Sequence, residues 1–265
     1  MDGAFKITRL QDGIFQIEDE LENCCTLVVG SERALLFDTM CGVGNLRRTV
    51  ESLTDLPLTV VNSHGHYDHV GGNWQFEQVY LNKADWYMAE EAEPIFNMLQ
   101  TNLNRDLSNA RRSFQQKERL LDLKEGTVFD LGGITAQTVA LPGHTAGSMG
   151  LILREPEILL VGDAISPTMC LFYPDSLSLE VYKKTLDKVI SMNLRYFVQG
   201  HYSKLFPMSI LARFRECALL PGKKKSYPYQ NSQIPVYTGR VYILELRNQQ
   251  IDSMICLIDK EEPRD

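Results

Sequence analysis

The chain has 265 residues, 44% of them hydrophobic and 23% charged, with a formal net charge of −7. That is an ordinary globular composition, long enough for one large domain with a sizeable core. The acidic balance argues against a surface built to neutralise nucleic-acid phosphates, and no run approaches the ~18 apolar residues of a membrane span.

The start, Met1-Asp2-Gly3-Ala4-Phe5-Lys6, lacks the basic-then-apolar pattern of a secretory signal. The expectation is therefore a cytoplasmic protein with neither a nucleic-acid nor a membrane partner. Six cysteines stand at 24, 25, 41, 170, 217 and 256, and none forms a C-x-x-C pair. Their scatter fits free thiols in a reducing compartment. The basic cluster Lys223-Lys224-Lys225 reads as solvated surface.

In chain order, Phe5 to Thr8 and Gly13 to Ile17 read as short strands around a Gln11-Asp12-Gly13 turn. Thr26 to Val29 and Ala34 to Phe37 are apolar strands split by Gly30-Ser31-Glu32, and Leu46 to Leu53 reads as a helix. Leu58 to Val61 is a strand that feeds directly into a histidine run. From Lys83 to about Leu120 the pattern turns helical, with Phe96, Leu99, Leu103, Leu107, Ala110 and Phe114 on one face. That stripe predicts packing on the core, with an active-site cap or a dimer surface as the sharper readings. Strands are predicted at Ile134 to Ala140, Gly150 to Leu153, Ile158 to Val161 and Tyr196 to Val198. Helices are predicted from Ser178, a candidate N-cap, to Met192 and from Met208 to Leu220. Val241 to Leu246 and Ile251 to Ile258 form an expected closing hairpin. Hairpin-like pairs at both ends predict mixed sheets.

All five histidines fall in short loops after strands, beside Gly, Asp or another His. Three lie in His64-Gly65-His66-Tyr67-Asp68-His69, the fourth in Pro142-Gly143-His144-Thr145 and the fifth in Gly200-His201. Imidazole suits zinc and iron, and carboxylates can bridge two cations. His64 and His66 are two apart, so in an extended segment both point the same way. Asp68 and His69 follow where the chain curls toward a helix and could serve a second metal. Gly162-Asp163 adds another strand-end carboxylate.

The set Phe37-Asp38-Thr39, His64 to His69, Pro142-Gly143-His144-Thr145, Gly162-Asp163 and Gly200-His201 resembles the five ordered signature elements of the metallo-β-lactamase superfamily. The resemblance implies an α+β fold, a four-layer αβ/βα sandwich with the metal site at one edge of its two sheets. It implies one such domain over 1–265, with a helical insertion at about 84–122. His64, His66 and His144 would hold a first metal, Asp68, His69 and His201 a second, and Asp163 would bridge them. No cysteine stands among the second-site ligands, as it does in the best-known β-lactamases. The sequence is instead similar to the glyoxalase II, lactonase and phosphodiesterase branches. His66 stands where flavodiiron proteins carry Glu.

The implied activity is hydrolysis of a small-molecule ester, lactone or thioester by a hydroxide held between two cations about 3.5 Å apart. The alternatives are a phosphodiesterase on a small phosphodiester and an oxygenase of the one-iron persulfide dioxygenase type. The cofactor expectation is two divalent ions, zinc first, with iron and manganese compatible with the same ligands. A homodimer is left open. Asp68 is a candidate proton acceptor as well as a ligand. Asp38 reads as a group that orients a ligand histidine or as a plain strand-end turn carboxylate. Tyr173 reads as a packed ring or, by resemblance to lactonase relatives, as a donor to the oxyanion. Cys41 and Cys170 are expected near the rim of the site.

Overall fold

Runs that are apolar at every position, such as Ala34–Phe37, need cover on both faces. The computed structural model gives each face its partner; it describes residues 5–88, 97, 100–101, 104, 106–232, 235–245 and 254–260. The first sheet is built in sequence order. Strands β1 (Lys6–Gln11), β2 (Ile14–Glu18), β3 (Cys24–Val29) and β4 (Ala34–Phe37) are antiparallel neighbours. Helix α1 (Leu46–Glu51) then crosses over to β5 (Leu58–Val61), which pairs parallel with β4. Helix α2 (Tyr67–Val70) precedes β6 (Val79–Leu81); α3 (Arg111–Gln115) precedes β7 (Leu120–Asp122), and both strands extend the sheet in parallel.

The second sheet holds β8 (Val128–Asp130), β9 (Thr135–Ala140), β10 (Met149–Leu153) and β11 (Ile158–Gly162). The chain then leaves through β12 (Thr168–Leu171) and helix α4 (Leu179–Ile190), and returns as β13 (Tyr196–Gln199), parallel to β11. A two-residue edge strand, β14 (Phe206–Pro207), and helix α5 (Leu211–Cys217) follow. Strands β15 (Tyr227–Gln230), β16 (Thr238–Glu245) and β17 (Met254–Asp259) join β12 in a third sheet, ordered β12-β17-β16-β15. The predicted closing hairpin is the antiparallel pair of β16 and β17.

The two-residue period of a strand sorts the side chains into layers. Leu35 and Phe37 of β4 meet Leu151, Leu160 and Val198 between the two large sheets. Leu36, on the opposite face, packs under Leu46 and Val50 of α1. In β11, Ile158 and Leu160 face the first sheet, whereas Leu159 and Val161 lie against Tyr182, Leu186 and Val189 of α4 and against Phe214 of α5. Helix, sheet, sheet, helix is the expected four-layer order. Spacings of three and four along α4 give it one apolar stripe.

Part of the expected helical insertion over 84–122 falls outside the described residues, Phe96, Leu99 and Leu103 among them. Its described parts are not one helix. Lys83–Asp85 is a single 3-10 turn, Asn97, Gln100 and Thr101 are helical, Arg111–Gln115 is a short helix, and Leu120–Asp122 is the strand β7. Three residues are too few for a period of two to register in sequence, which hid β6 and β7. Leu107 and Ala110 pack with Val70 and Leu81, so this part of the stripe covers the core.

Candidate metal centre

Parallel register decides which loops meet. Phe37 of β4 is paired with Val61 of β5, so Asp38 and Ser63 emerge side by side. Gly162 of β11 is paired with Gln199 of β13, so Asp163 and His201 also emerge together. The sheets are joined at this edge by Met149 N–H, which donates to Ser63 O at 2.7 Å. Strand-end loops at such an edge are where α/β folds concentrate chemistry.

His66 has extended backbone (φ −68°, ψ 148°) and opens α2, which carries Asp68 and His69. His66 Nδ1 lies 3.0 Å from His64 Nε2 and 2.9 Å from His144 Nε2. A second group, Asp68, His69, Asp163 and His201, offers ligand atoms within 4.8 Å of one another. Asp163 stands between the groups: Oδ1 is 3.5 Å from His69 Nε2, and Oδ2 is 3.2 Å from His201 Nε2 and 3.8 Å from His144 Nε2. Asp68 Oδ2 is 3.6 Å from His201 Nε2 and 3.9 Å from His69 Nε2.

The outward nitrogen of each ring sets its tautomer. Ser63 Oγ–H donates to Asp38 Oδ2 (2.8 Å), so the same hydroxyl oxygen accepts from His64 Nδ1–H (2.9 Å). His66 Nε2–H donates to Asp175 Oδ2 at 2.6 Å, and His69 Nδ1–H to Asp38 Oδ2 at 2.9 Å. His144 Nδ1–H donates to Cys170 O at 2.8 Å, and His201 Nδ1–H to Glu22 O at 3.4 Å. Five neutral rings arranged in this way turn five lone pairs inward. His66 Nδ1 and His144 Nε2 would face each other as two acceptors, which repel unless a cation lies between them. His69 Nε2 and Asp163 Oδ1 are buried with no hydrogen-bond partner. Such orphaned polar atoms are costly in a protein interior. The donor set therefore fits divalent metal, and the residues fall into two adjoining groups, with Asp163 in the second and its Oδ2 3.8 Å from His144 Nε2 of the first.

Protonation follows the same geometry. Burial, then the neighbouring His69 and His66, holds His64 well below the ordinary imidazole range. Burial and His66 press His144 down to about 4. Burial also works against charge on His201, but Asp163 and Asp68 outweigh it and lift the ring to about 9. His69 is raised in the same way, with Asp163, Asp38 and Asp68 overcoming burial. Asp163 is held well below the carboxylate range, because His201 and His69 outweigh its burial.

Asp38 combines both of its expected roles. It sits at a strand end with φ +72°, and its carboxylate accepts from Ser63 N–H (2.6 Å), Ser63 Oγ–H and His69 Nδ1–H. Tyr173 reaches the first group, its ring centroid 5.2 Å from that of His66 and 5.7 Å from that of His144. Cys170 lies on the wall of the adjoining cavity, whereas Cys41 is buried with its Sγ 3.2 Å from the Asn23 amide nitrogen. Cys24, Cys25 and Cys41 are free, buried thiols. Lys223, Lys224 and Lys225 are exposed.

Two carboxylates escaped the sequence reading. Asp175, whose only signal was the Tyr173-Pro174-Asp175 turn, holds His66. Asp85, inside the segment read as helix, is 1% exposed and accepts from Gly65 N–H, Thr145 Oγ–H and Gly147 N–H at 2.7–3.0 Å. It ties the loop of His64 and His66 to the loop of His144. Neither role was legible, because each partner is distant in sequence.

The metallo-β-lactamase superfamily sequence model matches residues 21–201. The human protein named acyl-coenzyme A thioesterase MBLAC2 is 26% identical over 222 residues, covering 73% of this chain and 80% of that one. The Haemophilus influenzae protein named hydroxyacylglutathione hydrolase GloC is 29% identical over 151 residues, covering 54% and 66%. Among solved structures, a metallo-β-lactamase from Pontibacter korlensis aligns with TM-score 0.60 at 16% identity, over 81% of this chain and 99% of that one. The sec-alkylsulfatase Pisa1 from Pseudomonas sp. aligns with TM-score 0.64 at 16% identity, over 82% and 42%. At such identity the structural likeness speaks for the fold alone. No described helix is long and apolar enough to cross a membrane. With the ordered motifs, the four layers and a sequence match over most of its length, this chain is a hydrolase of the metallo-β-lactamase superfamily.

Proposed function

We propose that the chain is a dinuclear metal-dependent hydrolase of a small-molecule ester, lactone or thioester. His64, His66 and His144 hold one cation, Asp68, His69 and His201 hold the other, and Asp163 serves both; zinc is the expected ion. The observation that carries this reading is the convergence of five imidazole nitrogens on Asp68 and Asp163, each ring anchored through its other nitrogen, with His69 Nε2 and Asp163 Oδ1 buried and without a hydrogen-bond partner. The names of the human and Haemophilus relatives, both hydrolases of acyl compounds, support the acyl substrate.

Bound metal would supply a Lewis acid and a water acidic enough to yield hydroxide near neutral pH. The chain's own residues divide the remaining work. Asp38, Ser63 and Asp175 keep the ligand rings in tautomer and orientation. Asp68 takes a proton during hydrolysis. Burial raises the Tyr173 phenol far above its ordinary range, so it stays a donor and can hydrogen-bond the substrate carbonyl oxygen. For a thioester, a water oxygen bonds to the acyl carbon and the C–S bond breaks. The thiolate takes one proton, and ionisation of the carboxylic acid releases another.

Elemental analysis coupled to a panel of acyl thioesters, esters, lactones and phosphodiesters tests the proposal. Two metal ions per chain and turnover of an acyl substrate are expected. Single-iron content with oxygen uptake on a persulfide would overturn it, and turnover of phosphodiesters alone would move the chain to the phosphodiesterase reading. His66→Ala and Asp163→Ala should each lose metal and activity together. Partners of ligands are themselves worth ~10–100-fold, so loss of a ligand should exceed ~100-fold. Full metal and full turnover in either variant would refute the ligand assignment.

A further inference from the structure

The two metal-fitting groups open into a cavity of about 760 Å³, and much of its wall comes from tyrosines. Tyr173 spans the gap between the first ligand group and the outer wall, with its ring edge-on to Tyr237 at 5.4 Å. Phe172 stacks on Tyr173 at 4.3 Å and meets Tyr229 at 5.1 Å. Tyr229 lies in β15, and Tyr237 immediately precedes β16. The third sheet thus carries an aromatic wall to the mouth of the site. Gly239 permits that approach, because a Cβ there would stand 2.9 Å from Phe172 Cβ and 2.5 Å from Asp259 O.

The charges on the described lining, apart from the metal-fitting groups, are the carboxylates of Glu22 and Asp175. Asp175 is committed to His66, its Oδ2 2.6 Å from the ring Nε2. A cavity with an aromatic wall and carboxylate rim rewards apolar groups and penalises a further anion. Its volume is that of a small-molecule site able to hold an extended acyl chain or an aryl group.

We infer that this cavity takes the acyl part of an uncharged, apolar substrate, aromatic or medium-chain aliphatic, and that Tyr229 and Tyr237 set this preference against acyl groups ending in a carboxylate. The inference rests on the acyl-hydrolase reading above and names its substrate class. The ring faces stack on the acyl group, while a terminal carboxylate would lose water without gaining a cationic partner.

The test uses zinc-loaded full-length protein and N-acetylcysteamine thioesters, whose leaving group is uncharged. Acetyl, octanoyl and phenylacetyl thioesters are compared with the octanoyl chain ended in a carboxylate. Desolvating an unpaired polar group costs about 1–3 kcal/mol, so kcat/KM for octanoyl should exceed that for its carboxylate analogue by ~10–100-fold. Tyr229→Ala and Tyr237→Ala should each shrink the phenylacetyl-to-acetyl ratio of kcat/KM by ~10-fold, and Tyr→Phe at either position should restore it. A merely structural loss would lower both substrates together and leave the ratio unchanged.

Equal turnover of the octanoyl and carboxylate-ended thioesters would overturn the inference, as would an unchanged ratio in both alanine variants. A loaded protein that hydrolyses none of the series overturns the hydrolase reading instead. Calorimetric titration with octanamide and its carboxylate-ended analogue then decides the cavity's preference separately, and equal affinity would sink it.

Discussion

His66 is held from both sides. Its Nδ1 faces the ligand cluster, and its Nε2–H donates to Asp175 at 2.6 Å. Asp175→Ala removes the acceptor that fixes this tautomer and leaves the backbone untouched. Metal affinity should fall ~10–100-fold, read by competition with a chromophoric chelator, while the circular dichroism spectrum stays native. Unchanged affinity would show that the ring needs no such anchor. His201 contributes to the pH dependence, together with His69. In chelator-stripped protein the His201 pKa is raised to about 9 from 6.5. A raised folded-state pKa contributes stability that is fully present below 6.5 and lost as pH rises through about 9. Metal needs the neutral ring, so loading between these limits must displace that proton. Calorimetry at pH 7.5 in buffers of different ionisation enthalpy should show proton release on metal binding, with affinity rising toward pH 9. A buffer-independent heat would contradict the assignment.

At the level of elements, the site depends on loops from both sheets approaching closely. Gly162 ends β11 at φ +52°, and a Cβ there would lie 2.4 Å from Ser63 Cβ and Oγ. Ser63 is the residue that joins Asp38 to His64, so this contact sits between two ligand-bearing strands. Gly162→Ala should cost about 1–3 kcal/mol through the left-handed backbone and the collision. Thermal unfolding would register the loss, and the metal content of purified protein should fall with it. A variant with wild-type melting and full metal would mean that the loops have more slack than these distances allow. Asp85 acts between the same loops from outside the ligand set, gathering donors from Gly65, Thr145 and Gly147. The strand ends that carry the candidate ligands were readable as apolar runs followed by Gly and His or Asp. The strands β6, β7 and β8 were not, because three residues carry too little periodicity. The helical reading of the stretch before Leu120 failed at its end for the same reason, when pairing with β6 drew Leu120–Asp122 into the sheet.

Across the molecule, the centre links the two sheets. His64, His66, Asp68 and His69 follow the first sheet, whereas His144, Asp163 and His201 follow the second. Metal bound here should therefore stabilise the association of the sheets as well as perform chemistry. At a metal concentration ~1,000-fold above its dissociation constant, linkage gives about 4 kcal/mol per site. For a chain of this size that corresponds to a rise in Tm of roughly 8–15 °C. Calorimetric scans of chelator-stripped and reloaded protein should differ by at least that much, and identical scans would disprove the coupling. The sequence by itself determined the chemistry: which residue types stand at strand ends, in what order, and that they suit metal. It could do so because the ligands cluster in short loops whose spacing is local information. The tertiary structure alone decided which ring nitrogen each outer partner claims, how Asp163 stands between the groups, and that Asp85 and Asp175 matter. It also brought Tyr229 and Tyr237, beyond the matched region, over the site. Those facts depend on strand register and on sheet-to-sheet packing, which bring together residues far apart in the chain and leave no local pattern in it.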